Sequence, residues 1–198
     1  MTRLVLCPKG KIGSYKIPNT VKTFDAGAFN FCKTLTSIII PDSVTEIPGC
    51  AFWCCTGLRT VEIPCSVVSI GNSAFRNCVS LQSIAIPQSV TSINGSTFEE
   101  CRRLTSIEIQ RSINSIGSSA FAHCRRLTSI TIPDSAKSIG TCAFSSCWRL
   151  RSIVIPSSVT FIGDYAFSSC HSLKTVSIPK GLRYTCKTFE YKAIINKY

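Results

Sequence analysis

The feature that most constrains this 198-residue chain is a beat of 23 residues. Pro18, Pro41, Pro64, Pro87, Pro133, Pro156 and Pro179 keep it, with Gln110 on the one rung that lacks proline. Phe29, Phe52, Phe75, Phe98, Phe121, Phe144 and Phe167 keep it too, as do Leu35, Leu58, Leu81, Leu104, Leu127, Leu150 and Leu173. A fourth ladder consists of Cys32, Cys55, Cys78, Cys101, Cys124, Cys147 and Cys170. A fixed period of this length means a stacked array in which each unit contacts only its neighbours.

One unit reads Ile-Pro-x-Ser-Val-Thr-x-Ile-Gly-x-x-Ala-Phe-x-x-Cys-x-x-Leu-x-Ser-Ile-x. The stretch from Leu35 to Ile40, and its counterparts LRTVEI, LQSIAI, LTSIEI, LTSITI, LRSIVI and LKTVSI, alternate apolar positions with period 2 and predict short strands. Proline, without an N–H for the ladder, ends each strand. Ser89 to Ile93 and its equivalents predict a second extended segment on another flank. Gly71, Gly117, Gly140 and Gly163, with Asn94 standing in once, mark a turn expected to use a positive φ. Ala74, Phe75, Cys78 and Leu81 are spaced by about one helical turn and predict a short helical or 3₁₀ segment turning Phe and Cys inward.

No single unit can bury its apolar face, but seven units stacked at roughly 4.8 Å form a parallel sheet over one continuous core. The expected organisation is a single mainly β solenoid domain over 1–198: an irregular N-terminal cap at 1–16, seven repeats at 17–179 and a degenerate C-terminal cap at 180–198. Thr2 to Pro8 reads as an irregular first strand before a Lys9-Gly10-Lys11 turn. After Pro179, Leu182 and Phe189 keep approximate places, while Cys186 and Glu190 do not.

Apolar residues occur in short runs such as Ile38-Ile39-Ile40, far below the roughly 20 needed for a transmembrane helix. The first residues carry one base and four apolar side chains, too few for the apolar region of a secretory signal. Neither an export signal nor an anchor is therefore expected in the sequence as written.

The repeat resembles the BspA-type leucine-rich repeats, whose hallmark is a 23-residue I-P-x-S-V-T-x-I-G-x-x-A-F-x-x-C-x-x-L unit. The resemblance covers Ile17 to Pro179, with a family-like start at Leu6-Cys7-Pro8-Lys9-Gly10-Lys11. It implies a leucine-rich-repeat solenoid and a cell-surface or extracellular adhesion-type role, with host matrix or cell-surface proteins as partners. It implies no catalytic residues.

Stacked cysteines would have Cβ atoms near 4.8 Å apart, whereas a disulfide needs roughly 3.8 Å, so the ladder reads as buried thiols acting as small hydrophobes. A bridged or metal-binding ladder is the alternative. Cys7, Cys50, Cys54, Cys65, Cys142 and Cys186 lie off the ladder and form no C-x-x-C pair, so no metal site is expected. His123 and His171 each adjoin a ladder cysteine that should face the core, ten acidic residues show no paired motif, and no phosphate-binding glycine loop is present. The expectation is a non-enzyme without cofactors.

The chain carries 22 Lys and Arg against 10 acidic residues, a formal charge of +12, which favours anionic partners. Much of it is periodic. Arg102-Arg103, Arg125-Arg126 and Trp148-Arg149 occupy equivalent places, so Arg103, Arg126 and Arg149 should form a column, with Arg59, Arg151 and Lys174 two residues further on. Such an edge is either a solvated face or a site for a sulfated glycan, an acidic protein, an anionic lipid or nucleic acid. Nucleic acid ranks low, because no recognised binding motif accompanies the charge. The outward strand positions, Ile39, Glu62, Ala85, Glu108, Thr131, Val154 and Ser177, are small, mixed and nearly neutral, and suit a protein ligand better than a polyanion. The leading expectation is a non-enzymatic recognition module that binds a protein through this face or the basic edge. A polyanion binder and a structural spacer are the alternatives.

Overall fold

The structure is a computed structural model and describes residues 2–7, 10–189 and 193–198. Pro8 of the expected first strand, Lys9 of the expected turn after it, and Glu190 of the C-terminal cap lie outside the described residues. The chain forms a parallel β-solenoid whose rungs repeat every 23 residues, as the register shows: Ser37 faces Thr60, Ile38 faces Val61 and Ile39 faces Glu62. Further along, Ser152 faces Thr175 in the same way.

Two flanks carry the strands. The first holds Gly13–Lys16, Leu35–Ile39 and Thr60–Glu62 in one parallel sheet, and Ser152–Val154, Thr175–Ile178 and Ile194–Lys197 in another. The second flank is built from the Ser-Val-Thr-x-Ile part of the repeat. There Ser92–Ile93, Ser115–Ile116, Ser138–Ile139 and Phe161–Ile162 pair in parallel, as do Glu46–Ile47 and Ser69–Ile70. Between strand and second flank, a hydrogen-bonded turn closes on each proline: the amide N–H of Val90 donates to the Pro87 carbonyl at 3.1 Å. Gln110 makes the same turn with Ile113 at 3.1 Å, so proline's missing N–H is not what forms it.

The third side holds no helix among the described residues. Its turns are of the 3₁₀ type, but left-handed residues interrupt them twice per rung, at Ser73 (φ 57) and Asn77 (φ 59) and at their equivalents. The interruption aims the N–H groups alternately. Ala74, Arg76 and Cys78 donate three residues back, to Gly71, Ser73 and Phe75, while Ser73, Phe75 and Asn77 donate to Gly95, Thr97 and Glu99 on the next rung. Every N–H from Ser73 to Cys78 is thereby used, half within the rung and half between rungs, which a continuous helix could not do.

The glycines serve another purpose than expected. Left-handed φ among them occurs at Gly13, Gly27 and Gly181, not at Gly71, Gly117, Gly140 or Gly163. These four are pressed against the preceding rung: a Cβ on Gly163 would lie 2.4 Å from the Thr141 nitrogen, and one on Gly117 2.7 Å from the Gly95 nitrogen. Their amides donate across that contact, Gly117 to the Ile93 carbonyl at 2.7 Å. Asn94 keeps the bond by other means, since its side-chain Nδ2 donates to the Ile70 carbonyl at 2.6 Å.

The core is one continuous column. The rings of Phe29 through Phe167 stack nearly parallel with centroids 5.0 to 5.7 Å apart, and all seven are fully buried. Phe189 extends the stack by 5.4 Å beyond Phe167, and Tyr184 packs edge-on against it, so the C-terminal segment completes the solenoid despite its divergent sequence. In the N-terminal segment Thr2–Leu4 pairs with Val21–Phe24, and Gly13–Lys16 with the first full repeat, each with a register shift, between Thr2 and Arg3 and between Gly13 and Ser14.

Candidate binding faces

On the first flank, the inward residues Ile38, Ile40, Ile153 and Ile155 are buried, and the residues between them face out. Glu62, Ala85, Glu108, Thr131 and Val154 are exposed, while Ile39 and Ser177 are half-buried. Of these seven predicted positions, Ile39 and Glu62, Ala85 and Glu108, and Val154 and Ser177 are neighbours in the strand ladder.

The row is not a uniform sheet. Among the described residues, no strand pairing joins Glu108 to Thr131, Thr131 to Val154 or Glu62 to Ala85. A cleft of about 1300 Å³ opens between the first two, lined by Ile107, Ile109, Gln110, Ile132 and Asp134 among others. A smaller one of about 480 Å³ lies between Thr131 and Val154 and reaches Tyr198. Residue spacing carries no signal for these openings, since LTSIEI and LTSITI match the other strands; Gln110, the rung without proline, is the one irregularity at the site.

The basic edge sits at the turn leading into the sheet. Arg103, Arg126 and Arg149 are exposed at equivalent positions of successive rungs, and Arg151 and Lys174 stand beside them on neighbouring rungs. The Lys174 amide donates to the Arg151 carbonyl at 2.9 Å, which fixes that register. Arg59 stands apart, separated from Arg151 at the same position by Gln82, Thr105 and Thr128.

The inner column is less uniform. Arg102 pairs with Glu100 at 2.6 Å. Arg125 lays its guanidinium over the Trp148 ring at 4.2 Å, and His171 lies beyond that ring with centroids 6.2 Å apart. Trp148 is thus a packing surface for Arg125 rather than an open platform. The Arg125 Nε and the His123 Nδ1 are buried with no hydrogen-bond partner among the described residues.

The thiol ladder faces the core, and no disulfide joins its rungs. Each thiol from Cys55 to Cys170 donates to a phenylalanine carbonyl 26 residues earlier, Cys78 to Phe52 and Cys124 to Phe98 both at 3.2 Å. Burial pushes these thiols up, Cys55 to about 12, and raises Cys78, Cys124 and Cys147 well above the ordinary range. Such thiols are poor nucleophiles. The Cys124 and Cys170 sulfurs point at carbonyls rather than at neighbouring His123 and His171, so neither forms a nucleophile–base pair. No cluster of three metal-ligating side chains exists among the described residues, and no described helix is long and apolar enough to cross a membrane.

No protein of curated function matches the chain in sequence. The fold recurs in solved bacterial structures. A T. pallidum leucine-rich repeat protein is 28% identical with a TM-score of 0.79, the match covering 99% of this chain and 91% of that one. One from Eubacterium ventriosum is also 28% identical, with a TM-score of 0.77, over 94% of this chain and 49% of that one. A third, from Bacteroides ovatus, shares the fold at 23% identity and a TM-score of 0.64, over 98% of this chain and 71% of that one. The BspA type leucine rich repeat region, in six copies, matches residues 7–125 and 91–197, nearly the whole chain. Together with the 23-residue register and the stacked phenylalanine column, that match assigns the chain to the BspA-type leucine-rich repeat family.

Proposed function

We propose that this chain is a non-enzymatic recognition module that binds a protein ligand on the outer face of its first flank. The row from Ile39 to Ser177 carries the reading. It is exposed from Glu62 to Val154, weakly charged and interrupted between Glu108 and Thr131 by the cleft of about 1300 Å³, which offers a recessed site for a protruding side chain or loop. The adhesion-type surface role implied by the family is part of this proposal, with matrix or cell-surface proteins as the ligand class. The buried, high-pKa ladder thiols favour a scaffold over a catalyst, since from Cys55 to Cys170 each is spent on a backbone carbonyl.

The experiment is biolayer interferometry of the purified chain against a panel of matrix proteins, beside a variant with Thr131→Arg and Val154→Arg. Both positions are exposed, Val154 at 59%, so the variant should fold. Binding to a panel member that drops at least tenfold in this variant supports the reading. Binding that the variant leaves unchanged refutes the assignment to this face.

A further inference from the structure

Six cations crowd one edge of the later rungs without a carboxylate to meet them. They are Arg103, Arg125, Arg126, Arg149, Arg151 and Lys174, and among the described residues none of them forms an ion pair; the acidic residues nearby are taken by Arg76 and Arg102. The phenylalanine rings of these rungs recur every 5.2 to 5.5 Å, and Arg103, Arg126 and Arg149 hold equivalent exposed positions, one on each of three successive rungs. A line of like charges held this close by a rigid scaffold is self-repelling, and a chain of anions laid along it removes the repulsion.

One detail suits the edge for ligand rather than for solvent alone. The Arg125 guanidinium rests over the Trp148 ring at 4.2 Å, so part of the ordering entropy of binding is met by the fold.

We propose that this edge is a binding site for a linear sulfated polysaccharide lying along the solenoid axis, with sulfates paired rung by rung to Arg103, Arg126 and Arg149. A guanidinium presents two parallel N–H donors that match an oxyanion, and sulfate stays ionised at all physiological pH. The one-cation-per-rung column matches a linear polymer rather than a compact anion. Single-stranded nucleic acid fits less well, because its binders stack bases on open aromatic faces and the Trp148 ring already carries the Arg125 guanidinium. The site lies at the turn before the strand, so it stands whether or not the sheet face binds protein.

The test is binding of the full chain to immobilised heparin, to fully desulfated heparin and to an oligothymidylate, each across a sodium chloride series. Three variants accompany it: R103E/R126E/R149E, the charge-neutral R103Q/R126Q/R149Q, and K16E/K22E/K137E, which changes net charge as much as the first but at exposed positions away from the edge. Circular dichroism verifies folding. The expected result is sulfate-dependent heparin binding, weakened at least tenfold in both arginine variants and within about threefold of wild type in the lysine variant. The slope of log Kd against log salt should become shallower by roughly 2 to 3 when the three arginines are lost. Equal losses in the arginine and lysine variants, binding that survives desulfation, tighter binding to the oligothymidylate, or no heparin binding would each overturn the proposal.

Discussion

The thiol of Cys101 donates to the carbonyl oxygen of Phe75 at 3.2 Å, across the gap between two rungs, while the Cys78 amide donates to the same oxygen at 3.2 Å from within the rung. The cysteine ladder is therefore a second set of inter-rung bonds running beside the phenylalanine stack. A hydrophobe of equal size would fill the space and leave the carbonyl with one partner. Replacing Cys101 with alanine should cost about 2 kcal/mol, the sum of a small cavity and a lost buried hydrogen bond, as measured by urea denaturation.

The burial of the thiol ladder predicts a pH dependence. A Cys55 thiol ionises near its ordinary value of 9.0 in the unfolded chain and only near about 12 in the fold, chiefly because burial disfavours the thiolate. Below pH 9 both states hold the proton and the contribution is intact. Above it the unfolded chain releases protons the folded chain retains, and stability falls until the folded thiols ionise as well. Melting temperature in reductant should therefore be flat through neutral pH and decline steeply between about 9 and 12. A Cys55→Ala variant should show a shallower decline, and an identical slope would exclude the ladder as its cause.

Two residues apart, Gly117 and Ser119 should respond oppositely to substitution. A methyl group on Gly117 would meet the backbone of Asn94 and Gly95 within 2.8 Å, so Gly117→Ala should destabilise by about 2 to 3 kcal/mol. Ser119 holds φ at 55°, where glycine carries no steric penalty, and Ser119→Gly should stabilise by about 0.5 to 1 kcal/mol. Differential scanning calorimetry of the two variants checks both signs.

That contrast also marks how far the sequence alone could be read. The ladders of Phe, Leu and Cys fix the register, the inward faces and the solenoid, because each demands burial at a 23-residue interval. Glycine composition does not distinguish a left-handed turn from a close approach; both need a missing Cβ, and only the stacked backbone shows that Gly117 needs the second. The helical spacing of Ala74, Phe75 and Cys78 was equally ambiguous, since alternating turns and a helix bring the same residues inward. At the candidate sites, repeat position placed Arg103, Arg126 and Arg149 in line, but the stacking of Arg125 on Trp148 depends on side-chain conformation and the cleft beside Thr131 on backbone spacing, neither of which a repeat pattern encodes.

Phe98 lies in the middle of the ring column, 5.7 Å from Phe75 and 5.5 Å from Phe121. Phe98→Ala should cost about 3 to 5 kcal/mol, since neighbouring rings held by inter-rung backbone bonds cannot close the cavity. The equivalent change at Phe189, which has a ring neighbour on one side of the stack and Tyr184 on its edge, should cost less. Equal effects by chemical denaturation would argue against a column whose ends are weaker than its middle.

Asn94 offers the most discriminating test of the inter-rung contact. Its Nδ2 reaches the Ile70 carbonyl at 2.6 Å, the place taken elsewhere by a glycine amide, as when Gly140 donates to Ile116 at 2.8 Å. Asn94→Gly should be nearly neutral, because a glycine amide can resume the bond its equivalents make and the rungs can close by the width of a Cβ. Asn94→Ala should lose the bond while keeping the Cβ, leaving the Ile70 carbonyl short of a partner at a cost of about 1 to 3 kcal/mol. The ordering glycine above alanine in melting temperature reverses the general rule that glycine destabilises relative to alanine. Alanine above glycine would mean that the side chain is not the bond holding rung to rung at this position.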